Sequence, residues 1–172
     1  MAARVAFLRG INVGGHRVKM DRLREIFSEM GLLNPRTFIA SGNVVFDGGD
    51  AADREVEALI ERGLEEALGF GVPTFIRGLD ELAVIAATDS PAEAAHYVGF
   101  LKGAPDANTQ AVFAELSSER DRFYCEGREF HWLSHGKISE SPLFGRGFER
   151  ATRAVSHTMR NMNTVRRLLV KF

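Results

Sequence analysis

The run Arg9-Gly10-Ile11-Asn12-Val13-Gly14-Gly15 has the composition of an anion-binding loop. Gly10, Gly14 and Gly15 permit positive φ and let the backbone approach a ligand closely. Arg9, His16, Arg17 and Lys19 place positive charge around them. A helix beginning at the end of the loop would add unpaired N–H groups and the positive end of its dipole. Such a set suits a phosphate or a carboxylate. The spacing excludes two familiar chemistries. Gly10 and Gly15 have the outer spacing of a P-loop, but His16-Arg17 stands where Lys and a magnesium-binding Ser or Thr are required. The dinucleotide fingerprint needs a glycine two places after Gly10, and Asn12 stands there. A tight glycine turn between a strand and a helix, holding no ligand, accounts for the same residues.

Two further polar runs carry chemistry. Ser41-Gly42-Asn43 has the composition of a tight hairpin turn. In Thr158-Met159-Arg160-Asn161-Met162-Asn163-Thr164, Asn161 or Asn163 suits a helix cap, while Arg160 suits an anion or a carboxylate partner. Other signals are weaker. His131 and His135 fall in a strand-like run, where a spacing of four puts them about 13 Å apart, too far for one metal. No metal is expected. Cys125 is the single cysteine, so it forms no internal disulfide and no zinc site of the usual kind. No nucleophile elbow, catalytic carboxylate pair or Cys/His pair stands out. His16 and His157 are the candidate general bases, no catalytic residue is assigned, and no cofactor is implied.

These residues need elements to position them. Val5 to Leu8 reads as a strand. Met20, Leu23, Ile26, Phe27 and Met30 recur at helical spacing, and Gly31 ends that helix. Residues 36–40 and 43–47 read as strands joined at Ser41-Gly42-Asn43, with the apolar runs Phe38-Ile39-Ala40 and Val44-Val45-Phe46 in the core. Val56, Ile60, Leu64 and Leu68 mark a second helix closed by Gly69, and residues 72–77 a fourth strand. The order is βαββαβ. Residues 80–88 form a connecting helix, broken at Ser90-Pro91. The pattern then repeats: strand 96–101, helix 108–116 capped by Asn108 or Thr109, strands 122–125 and 129–133, a broken helix 140–150 carrying Pro142 and Gly145, strand 154–158 and a last helix 162–170. The expected fold is α+β: two tandem ferredoxin-like (βαββαβ) subdomains, 1–90 and 91–172, with extra connecting and C-terminal helices. In that topology the first and second strands run parallel and the third runs back. The Gly10–Gly15 loop and the Ser41–Asn43 turn are therefore expected at one end of one sheet.

Composition sets the class. The chain has 172 residues, 45% hydrophobic and 26% charged, the balance of an ordinary globular protein. It has no apolar run of eighteen residues and no signal-peptide pattern, so a cytoplasmic protein with no membrane span is expected. The net charge of −1 is unevenly spread. Residues 1–24 set six basic side chains against Asp21, for +5. Residues 146–172 set seven against Glu149, for +6, which leaves −12 between. Basic ends of this kind suit an anionic partner, or simply offset the acidic middle.

Three motifs in order, Leu8-Arg9-Gly10-Ile11-Asn12-Val13-Gly14-Gly15, Thr37-Phe38-Ile39-Ala40-Ser41-Gly42-Asn43-Val44-Val45-Phe46 and Thr158-x-Arg160-Asn161-x-Asn163-Thr164-Val165, resemble a bacterial family of uncharacterised proteins, domain-of-unknown-function family 1697 (DUF1697). The resemblance runs over essentially the whole chain. It implies a pair of ferredoxin-like subdomains and no established activity. This chain departs from the family in having Met162 where Trp is common, and Pro142 where a Ser-Lys-Leu run has its lysine.

The first functional reading is a cytoplasmic binding module for a small anionic ligand, a nucleotide or phosphometabolite, or for nucleic acid. Its ligand-binding residues would be Arg9, Gly10, Asn12, Gly14, Gly15, Ser41, Gly42, Asn43, Arg160, Asn161 and Asn163. A structural or protein-interaction role without a ligand, and an enzyme acting on a small anionic substrate, are the alternatives.

Overall fold

Leu23, Ile26 and Phe27, spaced three and one apart, put an apolar stripe on helix Met20–Glu29 (α1). Val56, Ile60 and Leu64 do the same on Asp53–Leu68 (α2). Both stripes bury against one face of a four-stranded antiparallel sheet, where Ala6, Leu8, Val44, Phe46 and Ile76 meet them. The strands are Ala3–Leu8 (β1), Leu33–Thr37 (β2), Asn43–Asp47 (β3) and Thr74–Gly78 (β4), in the order β2-β3-β1-β4. That order with βαββαβ connectivity is the ferredoxin-like arrangement. The structure is a computed structural model and describes residues 2–40 and 42–172.

Helix Leu79–Ala86 (α3) leads to a second sheet built from Ala94–Leu101 (β5), Asp121–Glu126 (β6), Glu129–His135 (β7) and His157–Asn161 (β8). Its order, β6-β7-β5-β8, is the same permutation. Ala107–Leu116 (α4) and Arg146–Ala151 (α5) are its helices, and Met162–Lys171 (α6) closes the chain. Phe113, Phe123, Phe130, Trp132 and Phe148 form the aromatic core under α4 and α5. The two tandem ferredoxin-like subdomains are thus present, as units Met1–Ile85 and Ala86–Phe172. No helix among the described residues is long and apolar enough to cross a membrane.

Several boundaries differ from the sequence reading, each for a local reason. β2 begins three residues early, where Leu33 already pairs with Asp47 across an irregularity at Asn34, and ends three residues early, ahead of Ile39 at φ 49°. The β2–β3 connection is therefore residues 38–42, longer than a tight turn, and Ile39 and Ala40 are exposed, not core. Helix α4 is capped by Asp106, whose carboxylate accepts the Thr109 N–H at 2.8 Å, and not by Asn108 or Thr109. The broken helix 140–150 resolves into a 3₁₀ turn, Ile138–Glu140, and the short α5. β8 starts three residues late, which brings Arg160 and Asn161 into the strand.

Candidate functional site

The loop after β1 spans residues 9–19, and α1 begins only at Met20. The expectation that the glycines open directly onto a helix N-terminus is corrected here: Lys19 stands at the helix cap and makes no capping side-chain bond. The glycines instead shape a turn. The Asn12 N–H donates to the His16 carbonyl at 2.7 Å, and the His16 N–H to the Val13 carbonyl at 3.2 Å. Gly14 has φ 58° and Gly15 has no positive φ, the pattern of a type II′ turn. Residues 12–17 thus form a hairpin tongue. Val13, Gly14, Gly15, His16 and Arg17 are exposed on it, and the His16 ring stacks on Phe70 with centroids 3.9 Å apart.

The tongue is clasped at its base. Asn12 donates from Nδ2 to the Ala40 carbonyl at 2.9 Å and accepts the Val18 N–H on Oδ1 at 2.8 Å. The Leu8 N–H donates to the Gly42 carbonyl at 2.8 Å, and the Arg9 N–H to the Pro73 carbonyl at 2.9 Å. Asn43 is buried and donates from Nδ2 to the Phe38 carbonyl at 3.0 Å. The loop and the β2–β3 connection therefore meet at one end of the sheet, as the topology requires. Ser41 lies outside the described residues. Gly10, Gly14, Gly15 and Gly42 shape backbone here, while Asn12 and Asn43 spend their amides on it.

Arg160, Asn161 and Asn163 belong to the second unit. The Asn161 side chain accepts the Asn163 N–H at 2.9 Å and caps α6. Arg160 is buried and donates from Nη1 to Thr158 Oγ1 at 2.8 Å and to the Met159 carbonyl at 2.9 Å. Burial pulls its guanidinium down to about 10. The side chain of Asn163 is exposed in the first turn of α6, and Met162 is buried in the same turn.

Much of the basic charge at the two ends is matched internally. Arg4 pairs with Asp53 at 3.4 Å, Arg22 with Glu29 at 3.2 Å, and Arg24 with Asp21. Arg166 donates to the carbonyls of Ala86 and Thr88 and to Ser90 Oγ. Arg17 and Lys19 enter no ion pair or hydrogen bond through their side chains among the described residues, and both are exposed.

Two buried polar clusters were not legible in the sequence. His96 Nε2 and His131 Nδ1 lie 2.8 Å apart, and His96 Nδ1 lies 2.6 Å from Ser90 Oγ. Burial, then the neighbouring His131 and Arg166 charges, push His96 down to about 4, and burial alone takes His131 to about 4. In the other cluster, buried Asp121 accepts from Trp132 Nε1 at 2.9 Å and Ser141 Oγ at 2.7 Å. Burial favours its neutral form, but the nearby Ser134 hydroxyl, the bonds from Ser141 and Trp132 and the Arg120 charge hold it below the usual carboxylate range. Sequence spacing pairs His131 with His135. The partner is His96, on a neighbouring strand, and only strand register could have revealed it. Among the described residues no group of three or more His, Cys, Asp or Glu gathers as a metal site. Burial pushes the half-buried Cys125 thiol up.

Comparison with known proteins gives a family and a fold. The family model described as "Protein of unknown function (DUF1697)" matches residues 1–131. No curated protein matches the chain. Among solved structures, the conserved bacterial protein SP0830 from Streptococcus pneumoniae is similar, with a TM-score of 0.70 at 18% identity over 99% of this chain and 98% of that one. At that identity the likeness is one of fold.

Proposed function

The chain belongs to the DUF1697 family of proteins of unknown function, and we propose that it is a cytoplasmic binding module whose contact element is the Asn12–Arg17 tongue and whose partner is a nucleic acid. One observation carries the reading: a turn locked at its base by Asn12 carries Arg17, with Lys19 just beyond it at the start of α1, both exposed and outside every ion pair among the described residues. Small-molecule sites are concave. A convex tongue instead suits an extended anion, so the geometry favours nucleic acid over a free nucleotide or phosphometabolite. Ile39 adds to this. A β-branched residue at φ 49° and 43% exposed is strained without being buried, a combination that folding alone does not select.

The test is retardation of short RNA and DNA as salt is raised. Two cations on phosphates give a slope of about −2 in log affinity against log salt. Arg17→Ala combined with Lys19→Ala removes the binding and leaves the fold intact. No retardation at low salt, or retardation that the double variant retains, overturns the reading. A second reading has its own support. The amides of Asn12 and Asn43 bond the chain's own backbone, as they would if the motifs were purely architectural. On that reading Asn12→Ala lowers stability, and Arg17→Ala with Lys19→Ala changes nothing that can be measured.

A further inference from the structure

The His16 ring lies flat on the Phe70 ring, with centroids 3.9 Å apart and planes 14° from parallel. The two rings arrive from separate elements. Phe70 follows Gly69, which ends α2 in the left-handed conformation, and it packs against the core of the first unit. His16 closes the turn of the tongue, where its N–H donates to the Val13 carbonyl at 3.2 Å and its carbonyl accepts the Asn12 N–H at 2.7 Å. The turn therefore fixes its backbone, and Phe70 fixes its ring. Phe70 covers one face of the imidazole, yet His16 is exposed, so the other face is turned to solvent. Val13 pairs with His16 across the turn, which puts the two side chains on one side of it, and Val13 is 60% exposed. Nothing crowds the tip: a Cβ added at Gly14 or Gly15 would meet no atom within 4 Å.

We propose that the nucleic acid held by the tongue is single-stranded, and that one of its bases stacks on the open face of His16. The inference rests on the reading of the tongue as a nucleic-acid contact and names the form of nucleic acid that it takes. A flat ring with one free face suits a base, since every base has a π-face and His is among the side chains on which bases stack. A ring already held in place loses little rotamer freedom on binding. A duplex does not suit this element. Its base faces are covered by the neighbouring pairs, and only phosphates and groove edges are left to a protein. An unstacked strand offers base faces and phosphates together. One short run of the chain meets both, with the His16 ring for a base and the exposed Arg17 and Lys19 side chains for its flanking phosphates. Val13 adds apolar surface beside the stacked base. The imidazole also covers Phe70, a role that an aliphatic side chain would fill equally well, so His16→Leu distinguishes cover from stacking.

Fluorescence anisotropy of end-labelled oligonucleotides of about ten nucleotides, titrated with the full chain at low salt, tests the proposal. A single strand should bind about tenfold more tightly than the same sequence as a duplex. It should also bind about tenfold more tightly than a strand of abasic sites, which keeps the phosphates and removes the bases. His16→Ala and His16→Leu should each lower single-strand affinity about tenfold and leave its salt dependence unchanged, because no phosphate contact is lost. His16→Phe should retain the affinity. Duplex or abasic strand bound as tightly as the single strand, or unaltered single-strand binding by His16→Leu, would each overturn the stacking and leave nucleic-acid binding by the tongue in place. Binding of neither single strand nor duplex removes both.

Discussion

The side chain of Asn12 bridges to Ala40, donating from Nδ2 to the Ala40 carbonyl at 2.9 Å while its Oδ1 accepts the Val18 N–H at 2.8 Å. One short amide thus ties the loop after the first strand to the connection between the second and third. It does so at φ 58°, a backbone region that Asn tolerates better than most residues.

Asn12→Ala therefore loses two hydrogen bonds and gains left-handed strain, for a destabilisation of about 2–3 kcal/mol in urea unfolding. Asn12→Gly loses the same bonds without the strain and should be about 1 kcal/mol milder. Equal losses in the two variants would show that backbone strain plays no part.

Gly42 has φ 78°, and a Cβ there would meet Leu8 Cβ at 3.0 Å and the Leu8 carbonyl oxygen at 3.2 Å. Gly42→Ala is expected to cost about 2 kcal/mol or more, since strain and crowding act together. Gly14→Ala meets nothing within 4 Å and should cost only about 1 kcal/mol, the price of its positive φ alone. Thermal unfolding of the two variants ranks them.

The His96–His131 pair makes stability depend on pH. Both imidazoles sit at about 4 in the folded chain, below the ordinary histidine value of 6.5. The unfolded chain therefore takes up protons first as pH falls. The stabilisation is complete above about 6.5 and is lost on the way down to about 4. Arg166, which bonds Ser90 beside the pair, acts in the same sense, while Tyr124, with Arg122 over its ring, stacks on His131 at 4.7 Å and adds to its burial. Melting temperatures between pH 8 and pH 4 should fall in the lower half of that range, and His131→Phe should flatten the curve.

Asp121 joins Trp132 and Ser141, and removing it leaves their buried N–H and O–H groups without an acceptor. Asp121→Ala should cost roughly 3 kcal/mol and shift the emission of Trp132. Its carboxyl lies below the usual range when folded. Its contribution is therefore held above the ordinary carboxyl value and lost only in strong acid, well below the histidine transition. Ser141→Ala should cost less, about 1 kcal/mol, because Asp121 keeps its other donors.

Hydrophobic patterning made both βαββαβ repeats readable, because α1 and α2 bury one regular stripe and most strands are short apolar runs between turn residues. The same regularity placed the glycine loop beside the β2–β3 connection, since strand directions in this topology leave no other end for them. Boundaries failed where one residue departs from the pattern: Ile39 is apolar and β-branched, yet it turns the chain out of β2 instead of extending it. The broken helix 140–150 was visible in Pro142 and Gly145, but the cleft that it leaves over Tyr97 and Trp132 was not.

The sequence by itself determined the local matters: which segments form helices and strands, where glycines turn the chain, that Asn161 suits a helix cap, and the family to which the motifs point. Those properties depend on neighbours a few residues apart. Tertiary structure alone decided the partnerships of His131 with His96, of Asp121 with Trp132 and Ser141, and of Asn12 with Ala40. Each joins residues on separate strands or loops, at separations of 35, 11, 20 and 28 residues. Strand register and the path of the connections set them, and no local spacing encodes either.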